Sequence, residues 1–322
     1  MKLKDNLKIK CCRICCGEIL FKKTVYDDRY GYPGYFDIFK CSLCGHLFIN
    51  AEFASIQLVE LYTDYYPRST FDVTTYKPAQ STHGFWAWLN GASSASYSWV
   101  PENVRVLDIG CGFGETLGYH KARGCDVYGV EADENISRVA KKYGFNVHVG
   151  LFDPAHYEPG FFDYVTLNQV IEHVIDPIQT LQGIARVLKP GGMAILSTPN
   201  ANGWGAKLFG ARWINWHAPY HLQYFSKESM RIAAEKSGLY VESVKTLTSS
   251  EWLYYQWIHL FTFQDVGVPS PFWSPKAKRG LKVKLIQGIL NLLHQTKINH
   301  VITRLLDSLG SGDNYLFFLR KP

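Results

Sequence analysis

The segment Val106-Leu107-Asp108-Ile109-Gly110-Cys111-Gly112-Phe113-Gly114, with Val127-Tyr128-Gly129-Val130-Glu131 some twenty residues on, carries the residue types of a nucleotide crevice. An apolar run reads as a buried strand, and three glycines let the backbone turn into a helix while a ligand approaches it closely. A carboxylate ending the next strand, Glu131, suits the two hydroxyls of an adenosine ribose. The spacing is G-x-G-x-G and not the G-x-G-x-x-G of a dinucleotide site, and Asp108 precedes it where a diphosphate would be repelled. That acid fits an ammonium group, held directly or through water. A ribose and an amino-acid cation together describe S-adenosylmethionine. Glycines that merely turn the chain are the alternative, and they leave both carboxylates unexplained.

A second chemical pattern lies upstream. Cys12-Arg13-Ile14-Cys15 and Cys41-Ser42-Leu43-Cys44 are two C-x-x-C pairs with 25 residues between them, which predicts a tetrahedral four-thiolate structural Zn2+ site. Cys11 and Cys16 leave alternative pairings open; Cys12 and Cys15 have the knuckle spacing. Four thiolates leave no open position on the metal, so the expected role is structural. A module of some fifty residues buries too little apolar area to fold without such a staple.

The elements that must position these groups follow from periodicity. The chain of 322 residues, 47% hydrophobic and 15% aromatic, can fill a large core. Strands are expected near 104–108, 127–131, 146–149, 162–167, 192–197 and 240–246, with a helix after each of the first five. This alternation predicts an α/β fold with a doubly wound, mostly parallel, seven-stranded sheet of Rossmann-like type. Asn314 to Leu319 reads as the last strand, antiparallel at or near the edge. The expected domains are a zinc-binding module at 1–52, an aromatic-rich helical linker or cap at 53–100 and a cofactor-binding core at 101–248. A helical insertion at 249–312 and the final strand at 313–322 complete them.

Net charge is +6, and Lys276, Lys278, Arg279, Lys282, Lys284, Lys297 and Arg304 supply seven cations with no acid among them. Beside them Leu281, Leu285, Ile289, Leu292 and Leu293 form a helical apolar stripe. Such a helix docks on the protein or lies on an anionic membrane, so peripheral membrane contact through 275–306 is one expectation. The local character of the charge argues against DNA binding and leaves RNA open. No apolar run reaches a membrane-spanning length and the first residues carry no signal-peptide stretch, which predicts a cytoplasmic protein, on the inner membrane face if the helix binds there.

With these residues in place the chain resembles the class I S-adenosylmethionine-dependent methyltransferases of the ubiquinone and sugar-methylating type. Val106 to Gly114, Phe162-Asp163-Tyr164-Val165, Val170-Ile171-Glu172-His173-Val174 with Asp176-Pro177, and Val187 to Gly192 through Thr198-Pro199-Asn200 carry the likeness. It implies that Asp108, Gly110, Cys111, Gly112, Gly114, Glu131, Ala132, Leu151, Phe152 and Asn168 surround the cofactor. The cysteine pairs, Leu61-Tyr62 to Tyr65-Tyr66 and Pro219-Tyr220-His221 narrow the likeness to zinc-ribbon enzymes acting on nucleotide sugars and surface glycans. Sugar C-methyltransferases of that group use a Tyr-Asp-Glu-His stretch. Ala218-Pro219-Tyr220-His221 keeps only its histidine, so methylation of a sugar hydroxyl is expected instead.

Methyl transfer to a hydroxyl needs a base, and a histidine titrates near ~6.5. His221 is the candidate and His217 its substitute; a histidine that only ties loop backbone is the alternative. His173 could face the acceptor, and Trp213, Trp216, Tyr220 and Tyr224 offer flat faces for a sugar or a base, or else pack in a core. The competing functions are an RNA base methyltransferase and a non-catalytic S-adenosylmethionine-binding assembly protein.

Overall fold

A computed structural model describes residues 9–51, 61–66, 73–80 and 82–322, so part of the aromatic segment beginning at Phe53 lies outside the described residues. The chain forms two compact units. The first joins Met1–Ser69, Asn200–Ser229 and Thr248–Asp313; the second joins Thr70–Pro199, Met230–Leu247 and Asn314–Pro322. Residues 200–229, inside the stretch expected as the cofactor-binding core, thus group with the cysteine module.

A strand pairing accounts for that grouping. β1 (Ile19–Val25), β2 (Phe36–Cys41) and β3 (Leu47–Ile49) form an antiparallel meander, and β9 (Gln223–Tyr224) adds a fourth strand, pairing Leu47 with Tyr224 and Phe48 with Gln223. Each successive pairing covers the open edge of the strand before it. The apolar faces of Val25, Ile38, Leu47 and Ile49 pack with Trp213, Trp216, Tyr220 and Tyr224 in one core cluster. Helix α5 (Trp204–Phe209) belongs to this unit, in which α7 (Ser250–Thr262) also packs against α8 (Leu281–Gln295) and α9 (Ile298–Ser308).

The second unit is the expected Rossmann-like sheet. Its strands are β4 (Arg105–Ile109), β5 (Asp126–Glu131), β6 (Asn146–Val149), β7 (Phe162–Asn168), β8 (Leu188–Pro199), β10 (Tyr240–Leu247) and β11 (Asn314–Arg320), in the order β10-β11-β8-β7-β4-β5-β6. β4 to β8 run parallel, while β11 runs antiparallel to both neighbours and takes the place next to the edge. Val106, Leu107, Val165, Leu167, Ile195 and Leu196 are buried, as strands covered on both faces must be.

Helix α1 (Phe85–Asn90) precedes β4, helices α2 (Glu115–Ala122), α3 (Ile136–Tyr143) and α4 (Pro177–Val187) follow β4, β5 and β7, and α6 (Lys227–Lys236) precedes β10. Asp176 caps α4 by accepting the Gln179 N–H, and Pro177 occupies its first turn; such a cap stabilises by about 1 kcal/mol. The helix expected after β6 is reduced to one 3₁₀ turn, Pro154–His156. Pro154, Pro159 and Gly160 leave no run long enough for a nucleated α-helix.

Candidate functional site

The strand order reverses at β4, whose neighbours are β5 on one side and β7 on the other, and ligands of open α/β sheets bind at the carboxyl ends of strands at such a switch point. The glycine loop leaves β4 there. Gly110 and Cys111 N–H groups both donate to Val130 O, at 2.8 and 3.1 Å, which ties the turn to the end of β5. Gly110 (φ 75°) and Gly112 (φ 57°) are left-handed, and a Cβ on Gly110 would stand 2.5 Å from Val170 Cγ2. Only glycine fits that position. A Cβ on Gly112 would meet only Glu115 Oε2, at 3.9 Å, so the backbone there is left lightly covered and a ligand can lie against it.

Glu131 ends β5 half-buried. Its Oε2 accepts the Gly112 N–H at 2.9 Å and its Oε1 accepts the Asp133 N–H at 2.9 Å, so the carboxylate is aimed across the mouth of the glycine loop. Ala132 and Leu151 are exposed on the same strand-end edge. Asn168, half-buried at the end of β7, accepts the Ser96 N–H at 3.2 Å. An open carboxylate beside bare loop backbone fits a ribose-bearing ligand, and the donor set fits S-adenosylmethionine.

Four expected ligand residues turn out to hold this edge from within. Asp108 is 2% exposed, and its two oxygens accept from Thr116 Oγ1 and, at 2.6 Å, Thr166 Oγ1. Burial pushes its carboxyl up to about 6 against the pull of those two hydroxyls. The carboxylate therefore braces β4, β7 and α2; direct capture of an ammonium is not its geometry. Cys111 is buried, and a Cβ on Gly129 would meet its sulfur at 2.7 Å, so this side chain packs on β5. Gly114 sits under Ile136 and Phe145. The Phe152 ring lies against Gly183 of α4.

Beyond β7, Gln169 is left-handed (φ 58°) and donates from Nε2 to Ser197 Oγ at 2.9 Å. A non-glycine residue held there marks a site where surroundings override local preference. Glu172, fully buried, accepts from Thr198 Oγ1 at 3.0 Å, and burial raises its carboxyl to about 8. His173 beside it is half-buried.

The first unit holds the other expected residues. His221 is 6% exposed, and its Nδ1 lies 2.8 Å from Asn215 O. A carbonyl can only accept, so Nδ1 carries the proton and Nε2 is the basic atom in the neutral ring. The His217 and His221 rings are 4.9 Å apart, and His217 is left-handed (φ 36°). Trp213, Trp216, Tyr220 and Tyr224 are 0–3% exposed. Of the two alternatives, core packing describes them: Trp213 and Trp216 meet edge to face at 5.1 Å and Tyr224 donates to Trp216 O, while Trp216 also borders a cavity.

Sequence reasoning passed over the partners of this cluster. Asp27 accepts the N–H groups of Arg29, Tyr30 and Tyr32 at 2.8–3.0 Å, Arg29 donates to Ile214 O, and the Tyr30 ring meets His217 and Tyr220 at 5.8 and 5.4 Å. Asp313, buried and raised to about 7, accepts from Trp213 Nε1 at 2.9 Å and Asn215 Nδ2 at 3.4 Å. It thereby steadies the residue that holds His221. The Asp-Asp-Arg-Tyr run, dense in polar types within an apolar module, was the available signal.

The four thiols expected to bind metal do converge. All four sulfurs lie within 4.8 Å of one another, with Cys12–Cys44 at 3.6 Å and Cys15–Cys41 at 3.4 Å. Zn–S bonds of ~2.3 Å in a tetrahedron give edges of roughly 3.8 Å. Ile14 N–H donates to Cys12 Sγ and Cys44 N–H to Cys41 Sγ, a pattern that favours thiolates. Cys11 and Cys16 are exposed. Ser226 Oγ donates to Cys44 O, linking the knuckle to the segment that carries the histidines.

The methyltransferase domain family matches residues 76–244, more than half of the chain. The chain belongs to that family, the S-adenosylmethionine-dependent enzymes it resembles in sequence. It is 38% identical over 116 residues to a ubiquinone biosynthesis O-methyltransferase of Dechloromonas aromatica, covering 32% of this chain and 50% of that protein. The protein of that name from Xanthomonas euvesicatoria is 32% identical over 163 residues, covering 46% of this chain and 68% of its own. The chain thus spans about half the length of the first of these relatives. A solved SAM-dependent methyltransferase from Archaeoglobus fulgidus is 20% identical with a TM-score of 0.41, covering 68% of this chain and 86% of that one.

Proposed function

We propose that this protein transfers the methyl group of S-adenosylmethionine to a hydroxyl of a sugar carried on a nucleotide or glycan. When bound, S-adenosylmethionine would supply a sulfonium-borne methyl: the acceptor oxygen forms the O–CH3 bond as the S–CH3 bond breaks, S-adenosylhomocysteine is the leaving group, and the hydroxyl proton goes to a base. Glu131 would hold the ribose hydroxyls, the Gly110–Gly112 backbone would accommodate the nucleoside, and Leu151 and Asn168 would border the same edge. Asp108 acts as a positioning residue through Thr116 and Thr166.

His221 takes the hydroxyl proton at Nε2, with Nδ1 fixed on Asn215 O, and His217 lies beside it. Cys12, Cys15, Cys41 and Cys44 would hold a structural zinc ion and so fix the sheet to which β9 of this segment pairs. The observation that carries the acceptor class is a cavity of about 270 Å³ in the first unit. Lys22, Lys23, Lys40 and Lys207 line it with Trp216, without a carboxylate, and Lys23 Nζ stands 4.2 Å from the Trp216 ring centre. Four cations around one space suit a diphosphate.

The names of the curated relatives favour a second reading, a phenolic hydroxyl on an intermediate of ubiquinone biosynthesis. Methyl-labelled donor offered to nucleotide sugars, to such phenols and to RNA separates the readings. Label is expected in the sugars, and label in the phenol or RNA alone would replace this reading. His221→Ala should lower kcat by about 10²–10⁴ with donor affinity kept; unchanged turnover would remove the base assignment.

A further inference from the structure

The two C-terminal helices bury little of their apolar surface. In α8, Leu281, Leu285, Ile289 and Leu292 fall at i, i+4, i+8 and i+11, on one face of the helix, and Leu281 is 84% exposed and Leu292 63%. The opposite face, marked by buried Leu290, packs on α7. In α9, Ile298, Val301, Ile302 and Leu305 repeat the pattern at i, i+3, i+4 and i+7 with Leu305 64% exposed, while Asn299, His300 and Thr303 turn inward. The inward face is therefore the polar one in α9, the reverse of what a helix docked only on its own protein would show.

Charge says what covers these stripes. No Asp or Glu occurs from residue 266 to residue 306, whereas Lys278, Lys282, Lys284 and Lys297 are all exposed there. On the α8 wheel Lys282 and Lys284 flank the leucine stripe on its two sides, where their stems can run along it and their ammonium groups reach outward. Arg304, counted among the seven cations of the segment, belongs to the interior instead: it pairs with Asp307 at 3.0 Å and donates to Thr248 O. No helix among the described residues is long and apolar enough to cross a membrane. Apolar stripes bordered by cations, on helices this short, have the build of elements that lie in the plane of a bilayer surface.

We propose that α8 and α9 dock this protein onto an anionic lipid surface, the leucine stripes entering the headgroup boundary and the lysines meeting lipid phosphates. Co-sedimentation of the full chain with phosphatidylcholine vesicles, with and without phosphatidylglycerol, tests it. Binding is expected only to the anionic vesicles, and it should weaken with added salt. Each lysine near such a surface contributes about fivefold, so Lys282→Gln with Lys284→Gln should weaken binding about 25-fold. Leu285→Ser with Leu292→Ser, both at exposed positions, should keep the wild-type circular dichroism spectrum and also release the protein. Equal binding to neutral vesicles overturns the proposal. So does failure to sediment at all, above all if light scattering shows a dimer that Leu285→Ser with Leu292→Ser dissociates, because the stripes would then cover a second copy of the chain.

Discussion

The proposed donor edge of the second unit and the histidine cluster of the first are built by opposite means. At the edge, bare glycine backbone and one half-buried carboxylate, Glu131, do the work, and the bulky side chains (Phe152, Cys111, Ile136) lie behind it. The histidine cluster has almost no bare backbone: His217 and His221 are embedded among Tyr30, Trp216, Tyr220 and Tyr224, with buried acids Asp27 and Asp313 fixing the loops. A surface made by backbone tolerates change in its neighbours. One made by interlocked rings depends on whatever sets the rings in place, and here that is a sheet tied to four cysteines.

This contrast predicts its largest effect at the metal. Cys44→Ser, or chelation, should unfold the first unit, since structural zinc contributes an apparent ~10–16 kcal/mol to folding in small modules. Donor-product binding by the second unit should survive. Metal analysis should find one zinc per chain in the wild type; a protein that melts unchanged without metal would erase the distinction between the two units.

A smaller effect belongs to Glu172. Its folded carboxyl is raised to about 8 from an ordinary 4.5, so the folded protein holds a proton that the unfolded chain releases. Stability from this group is complete below pH 4.5 and is lost as pH rises through about 8. Glu172→Gln should flatten that part of the decline in Tm, by a few degrees at the alkaline end, and an unaltered Tm profile between the two proteins would show that the proton is not held.

The same contrast explains what was legible in the sequence. The glycine loop, Glu131 and the cysteine pairs announce themselves by local spacing, and β4, β5 and β7 by the apolar residues that their buried centres require. Asp27 and Arg29 did not, because the latter meets Ile214 across 185 residues, a partnership that no local pattern encodes. Trp213 and its neighbours were ambiguous by type, since an aromatic face serves a core and a ligand equally, and only packing decides. Asp108 was legible as important but not in its role: its threonine partners, Thr116 and Thr166, lie 8 and 58 residues away.

The central claim, that the Gly110–Gly112 loop and Glu131 form the donor site, is tested most directly by calorimetry with S-adenosylhomocysteine. The wild type should bind it, and Glu131→Ala, which removes the acceptor for two ribose hydroxyls, should weaken binding by about 10- to 100-fold at charge-assisted hydrogen-bond strengths. No heat from the wild type, or equal affinity in Glu131→Ala, would contradict it.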